Sequence, residues 1–209
     1  MKALPRLYVI ADAGMLLSRE VSLANFANEL RAAGVTLLQY RDKDAGPQTI
    51  LRNAVVIAEA FAGSDATLIM NDRSDLAVLA EWDGVHVGQE DLSPEDARTV
   101  IGSGRIVGIS THNEAQVIAA DAGAADYVAI GPVFATGTKL DAAVVVGLDG
   151  VRRARAMTTK PLVAIGGITR ENARSVIEAG ADSVAVISGL FVPGESVEKV
   201  ARDFLEILG

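Results

Sequence analysis

Three cations and two carboxylates are the residues of this sequence best suited to chemistry on a phosphorylated ligand: Arg41, Lys43, Lys139, Asp72 and Asp91. Arg41 and Lys43 lie in the run Gln39-Tyr40-Arg41-Asp42-Lys43. In an extended segment alternate side chains share a face, so Gln39, Arg41 and Lys43 look one way and Tyr40 the other. With Lys139 the two cations could bind a diphosphate and stabilise it as it leaves. The competing use is ordinary surface ion pairing, with Asp42 and Asp44 at hand. Asp72 and Asp91 could converge, because two carboxylates plus phosphate oxygens and water make a typical Mg²⁺ site. Their competing use is helix capping, by Asp72 at Ser74 and by Asp91 just ahead of Ser93.

Other groups bear on the same question. The pairs Gly166-Gly167 and Ser188-Gly189 would let backbone N–H groups approach an anion closely, or would simply make tight turns. His86, flanked by valines, reads as a hydrogen-bonded core residue, and His112 as a solvated residue opening a helix. The chain has no cysteine, which excludes disulfides, thiolate catalysis and Cys-based metal sites. None of the HExxH, GxSxG, Walker-type or GxGxxG patterns occurs, so neither zinc nor a Ser-His couple is indicated.

These residues need a frame that brings them together. Eight apolar, strand-like runs punctuate the chain: Leu7–Ala11, Thr36–Arg41, Thr67–Asn71, Gly84–Val87, Arg105–Ser110, Tyr127–Gly131, Pro161–Ile165 and Ser183–Ile187. Between them apolar residues recur at helical spacing. Leu23, Phe26, Ala27 and Leu30 form one stripe. Ile50, Ala54, Ile57 and Phe61 form another, and Val197, Val200, Ala201, Phe204 and Leu208 a third. Ser93-Pro94-Glu95 reads as N-cap, first helical residue and acidic first turn. Ala33-Gly34, Ala122-Gly123 and Ala179-Gly180 each close a helix before a strand, where a glycine with positive φ relieves the strain.

Eight alternating units predict a single (β/α)8 barrel over residues 1–209 rather than a doubly wound sheet. In that fold the working residues lie at the C-terminal ends of the strands. The sequence places there Gln39 to Lys43, Asn71-Asp72, Gln89 and Asp91, Ser110-Thr111-His112, Thr136 to Lys139, Gly166-Gly167 and Ser188-Gly189. The last two pairs follow the seventh and eighth strands, the usual phosphate position of such barrels. The longest irregular stretch runs from Phe134 to Val146. It and the segment after Asp12 are candidate lids.

Composition bounds the partners. Of 209 residues half are hydrophobic but only 4% aromatic, so the core is built of Ala, Val, Ile and Leu. The net charge of −8, with no basic cluster, excludes a duplex nucleic-acid binder but not an anionic small molecule held by local cations. Lys2 and Arg6 precede only the short apolar run Leu7 to Ala11, which gives no secretory signal. No stretch approaches a membrane span, and a cytoplasmic protein is expected.

Taken in order, the motifs resemble the thiamine phosphate synthase family nearly end to end. The matching pieces include Gln39-Tyr40-Arg41-Asp42-Lys43, Asn71-Asp72-Arg73, Gly84 to Leu92, Gly108-Ile109-Ser110-Thr111-His112, Gly131-Pro132-Val133-Phe134, Thr136 to Lys139 and Ile165-Gly166-Gly167-Ile168. The resemblance implies coupling of a hydroxymethylpyrimidine diphosphate to a thiazole phosphate, plain or carboxylated. It implies that Gln39, Tyr40, Arg41, Asp42, Lys43, Asn71, Ser110 and Lys139 hold the pyrimidine diphosphate, with Arg41, Lys43, Ser110 and Lys139 as its catalytic members. It gives Mg²⁺ to Asp72 and Asp91, and the thiazole phosphate to Thr136, Gly137, Thr138, Gly167, Ile187 and Ser188. A homodimer is compatible with it. The chain departs from the family where Gly137 replaces the common Pro and Tyr40 the usual Leu; alternation gives Tyr40 a packing role. Two other functions compete: a thiazole tautomerase of related sequence, which would not need the diphosphate-binding residues kept here, and a non-catalytic sensor of a phosphorylated ligand.

Overall fold

The structure, a computed structural model, describes residues 4–136 and 144–209. Eight parallel strands close into a barrel in sequence order: β1 Leu7–Asp12, β2 Leu37–Arg41, β3 Thr67–Asn71, β4 Gly84–Val87, β5 Ile106–Thr111, β6 Tyr127–Ile130, β7 Leu162–Ile165 and β8 Ser183–Val186. β1 pairs with both β2 and β8, so no strand edge is left open. Helices surround the barrel: α1 Ala13–Ser18, α2 Leu23–Ala33, α3 Pro47–Ala60, α4 Ser74–Leu79, α5 Pro94–Ile101, α6 Glu114–Ala122, α7 Gly147–Met157, α8 Ala173–Glu178 and α9 Val197–Leu208.

The strands read as apolar runs because both their faces are buried. Leu7, Val9 and Ala11 of β1 pack outward with Phe26, Leu30, Ile57 and Phe204 of the helices. Tyr8 and Ile10 pack inward with Leu37, Ile69, Tyr127, Val163 and Ala185. The predicted helical stripes supply the outer layer: Phe26, Ala27 and Leu30 of α2, Ile50, Ala54 and Ile57 of α3, and all five residues named in α9 are buried. Ser93 caps α5, accepting from the Asp96 N–H at 3.1 Å.

The helix-closing glycines divide. Gly34 and Gly180 have φ of 90° and 112°, as the sequence predicts. Gly123 does not; its φ is −91°. A Cβ there would lie 2.8 Å from the Glu95 carboxylate oxygen that accepts from the Ala124 N–H, so a side chain would have to displace that contact. The segment after Asp12 is the short helix α1. Asp12 caps it by accepting from the Met15 N–H at 2.9 Å, and Leu16 buries its inner face.

A second repeat, absent from the pattern read in the sequence, fastens the floor of the barrel. An aspartate precedes β4, β6 and β8, in Asp83-Gly84-Val85, Asp126-Tyr127-Val128 and Asp182-Ser183-Val184. Each donates its N–H to a carbonyl of the preceding strand, at Leu68, Val107 and Leu162. Each carboxylate accepts the N–H of that same residue at 2.8 Å. Arg98 of α5 and Arg155 of α7 add ion pairs to Asp126 and Asp182. One side chain thus ties two strands, and for the later pairs a helix as well.

Candidate active site

Inward parity decides what reaches the C-terminal mouth. Above Tyr8 and Ile10 comes Asp12; above Leu37 come Gln39 and Arg41; above Ile69 comes Asn71; above Gly108 comes Ser110. Asp12 and Arg41 are register partners across β1 and β2, and the guanidinium donates to the Asp12 carboxylate. Lys43 donates to the Asp72 carboxylate. Neither cation uses Asp42 or Asp44, the partners expected from sequence proximity. Asp12, buried and holding both α1 and Arg41, escaped the sequence reading, although its parity with Tyr8 and Ile10 was a usable signal.

Asp72 follows β3 with φ of 59°, a left-handed conformation uncommon for a residue bearing a side chain. It does not cap α4; Arg73 occupies that position, and no side-chain cap bond forms. Its carboxylate instead meets Lys43 and comes within hydrogen-bonding reach of Asp91. Burial, then the hydrogen bond and charge of Asp91, hold the Asp72 carboxyl above its ordinary pKa, while Lys43 pulls the other way. Asp91 accepts from the Gly88 N–H at 2.7 Å and leaves the capping of α5 to Ser93. A Cβ on Gly88 would come within 2.9 Å of that carboxylate. The two carboxylates therefore converge, crowded and only partly compensated.

A chain of hydrogen bonds crosses the barrel below them. Gln39 Nε2 donates to the Tyr8 hydroxyl at 2.8 Å, and that hydroxyl lies 2.9 Å from the hydroxyl of Tyr127. The Tyr127 hydroxyl meets His86 Nδ1 at 2.8 Å, and His86 Nε2 meets Ser110 Oγ at 2.8 Å. His86 is thus the hydrogen-bonded core residue its sequence context predicts. His112 is not simply solvated: its Nδ1 bonds the Gly131 carbonyl at 2.7 Å.

Tyr40 and Asp42 are not brought to the mouth. The Tyr40 hydroxyl donates to Asp42 at 2.9 Å and accepts from Asn53 of α3 at 2.6 Å. Asp42 otherwise accepts the N–H groups of Asp44 and Ala45, at 3.1 and 3.0 Å. Both shape the turn after β2. On the opposite rim Gly166 and Gly167 have φ of 104° and 65°. A Cβ on either would collide with the loop after β6, 2.6 Å from Pro132 and 2.7 Å from the Ala135 carbonyl respectively. Ile187 points inward and Ser188 opens a short 3-10 turn after β8. Thr136 is the last described residue of the β6 loop; Gly137, Thr138 and Lys139 lie outside the described residues, as does most of the candidate lid.

Among the described residues no group of three or more His, Cys, Asp or Glu side chains could cage a metal. No helix among the described residues is long and apolar enough to cross a membrane.

A closed barrel that gathers cations, a carboxylate pair and glycine turns at the C-terminal ends of its strands has the architecture of a (β/α)8 enzyme, whose working residues lie at that end. Comparison with known proteins narrows this. A family model described as thiamine monophosphate synthase matches residues 7–190. The thiamine-phosphate synthase of Koribacter versatilis is 55% identical over 98% of this chain and 96% of its own. That of Chloroflexus aurantiacus is 42% identical over 94% and 89%. The solved thiamine phosphate pyrophosphorylase of Pyrococcus furiosus superposes with a TM-score of 0.85 at 32% identity, covering 98% of this chain and 95% of that one. The chain belongs to the thiamine monophosphate synthase family, and it is a transferase.

Proposed function

We propose that this enzyme joins a hydroxymethylpyrimidine diphosphate to a thiazole phosphate, plain or carboxylated, giving thiamine phosphate and diphosphate, with the carboxyl group of the carboxylated form leaving as carbon dioxide. The observation that carries the reading is the convergence of Arg41, Lys43, Asp72 and Asp91 above the interior pair Gln39 and Ser110. Gln39, Asn71 and Ser110 hold the pyrimidine ring. Arg41, Lys43 and Lys139 take the diphosphate, and their charge grows in value as the leaving group gathers negative charge. The rim of Thr136, Gly137, Thr138, Gly167, Ile187 and Ser188 takes the thiazole phosphate.

Asp72 and Asp91 would hold Mg²⁺. The fit rests on the crowding of two carboxylates with, among the described residues, Lys43 to compensate them. When bound, the ion supplies further positive charge to the departing diphosphate. The chain's own residues position, orient and exclude water. The bond from the pyrimidine methylene to diphosphate oxygen breaks, the thiazole nitrogen supplies the electron pair of the new carbon–nitrogen bond, and no side chain acts as nucleophile.

The test is to incubate the purified protein with both phosphorylated halves, in Mg²⁺ and in EDTA, and to look for thiamine phosphate by mass. Product that depends on the metal is expected. Folded protein that gives no product from authentic substrates would overturn the proposal.

A further inference from the structure

The buried chain across the barrel has a direction. Burial pushes the hydroxyls of Tyr8 and Tyr127 well above the ordinary phenol range, so each oxygen carries one proton. The Tyr8 oxygen already accepts from Gln39 Nε2, and its own proton turns to Tyr127. Tyr127 then gives its proton to His86 Nδ1. With Nδ1 accepting, the ring proton sits on Nε2, where it donates to Ser110 Oγ. A charged ring would donate from both nitrogens, and the Tyr127 proton would have no acceptor in the chain. Two groups emerge at the site with fixed roles. Ser110, whose oxygen is occupied by His86, offers its hydroxyl proton. Gln39, whose amide nitrogen is occupied by Tyr8, offers Oε1.

We propose that Tyr8, Tyr127 and His86 are positioning residues that set this polarity, making Ser110 a donor and Gln39 an acceptor toward the pyrimidine. The inference rests on the placement of that ring proposed above. An aminopyrimidine fits this pattern, because its ring nitrogen accepts and its exocyclic amine donates. A pyrimidinone of similar outline, with a carbonyl in place of the amine, would face Gln39 Oε1 acceptor to acceptor and is rejected.

The fold keeps room for the relay. The Tyr127 ring stacks on His86 at 5.5 Å between centroids and meets Tyr8 edge-on at 6.0 Å. It occupies the space a side chain at Gly108 would need: a Cβ there would lie 2.0 Å from the ring. The glycine of the Gly108-Ile109-Ser110 run is therefore the vacancy that admits Tyr127, two residues before the serine that Tyr127 orients through His86.

The experiment combines ¹⁵N-histidine NMR with kinetics. The chain has only two histidines, and a His112→Gln variant separates their signals. In the free wild-type protein His86 should be the Nε2–H tautomer. Tyr127→Phe should remove that preference and raise KM for the pyrimidine diphosphate about tenfold, with KM for the thiazole phosphate unchanged, the loss expected for one buried hydrogen bond. Tyr8→Phe should leave the tautomer in place and raise the same KM, because it releases only the Gln39 end. An Nδ1–H tautomer in the wild type overturns the proposal. So does an unmoved pyrimidine KM in Tyr127→Phe when Ser110→Ala raises it. If Ser110→Ala is itself silent while the tautomer is Nε2–H, the placement of the pyrimidine is what fails, and the ligand half of this proposal falls with it.

Discussion

Asp72 combines two unfavourable features in one residue. Its backbone lies in the left-handed region, a cost of about 1–3 kcal/mol for strained residues of this kind. Its carboxyl is raised by burial and by Asp91. A raised carboxyl favours the folded state at low pH, and that contribution is lost as pH rises through its folded-state pKa. Ionising Asp72 therefore costs the metal-free protein stability. Asp91→Asn should raise the melting temperature at pH 7 in EDTA, read by calorimetry, while cutting Mg²⁺-dependent product formation on the order of a hundredfold. A lower melting temperature together with full turnover would contradict both halves. The proposed Mg²⁺ binding needs the ionised form, so it should release protons and weaken at a higher pH than an ordinary aspartate would give, measured by titration calorimetry in two buffers.

Asp12 makes a separate case. Asn still caps a helix, so Asp12→Asn should leave α1 intact but loosen Arg41. KM for the pyrimidine diphosphate should rise several-fold with the far-ultraviolet dichroism unchanged. An unaltered KM would show that Arg41 needs no such support. Arg41 and Lys43 themselves were legible in the sequence, because charged residues at the end of an apolar run have few structural reasons to be there. Their partners were not. Asp12 stands opposite Arg41 only once β1 and β2 pair in register, and Asp72 reaches Lys43 and Asp91 through a backbone angle that its residue type does not announce.

At the scale of elements, burial made the strands and helices readable, while fastening did not. Two-sided burial writes itself as unbroken Val, Ile, Leu and Ala, and one-sided burial as a stripe. The aspartates before β4, β6 and β8 look like ordinary loop residues until the strands they grip are known. Asp126 accepts from both the Val107 N–H and Arg98. Asp126→Ala should cost about 2–3 kcal/mol in urea unfolding, the range for losing a charged partner of a buried donor. The Michaelis constants should not move, since the floor is remote from the mouth; a stable variant with altered KM would place Asp126 in the wrong role.

The loop after β7 is fastened differently. Arg170 donates to Glu195 at 2.6 Å and pairs with Asp203 of α9, which Lys199 also holds at 2.9 Å. Hydrogen bonds from Arg170 and Lys199 pull the Glu195 carboxyl from an ordinary 4.5 down to about 2. A lowered carboxyl stabilises the fold above its ordinary pKa and loses that contribution as pH falls toward 2. Arg170→Met should therefore narrow the stability difference between pH 6 and pH 3 in thermal melts, and high salt should narrow it in the wild type as well. Equal losses at both pH values would assign Arg170 a packing role alone.

Over the whole molecule, the division of labour runs along the barrel axis. Ionic and glycine-built features crowd the C-terminal mouth, apolar layers and the tyrosine relay fill the middle, and aspartates secure the floor. Each floor fastening spans a short stretch of chain: 15 residues from Leu68 to Asp83, 19 from Val107 to Asp126 and 20 from Leu162 to Asp182. A chain leaving the ribosome can thus lock each pair of strands soon after both have emerged, without waiting for distant sequence. Closure is different. β1 stays unpaired on one side until β8, made after the other seven barrel strands, arrives to meet it. The glycine turns after β7 and the serine turn after β8 likewise emerge only after the first six strands. The barrel can be mostly assembled while still being translated, yet its mouth stays incomplete until β8 is in place.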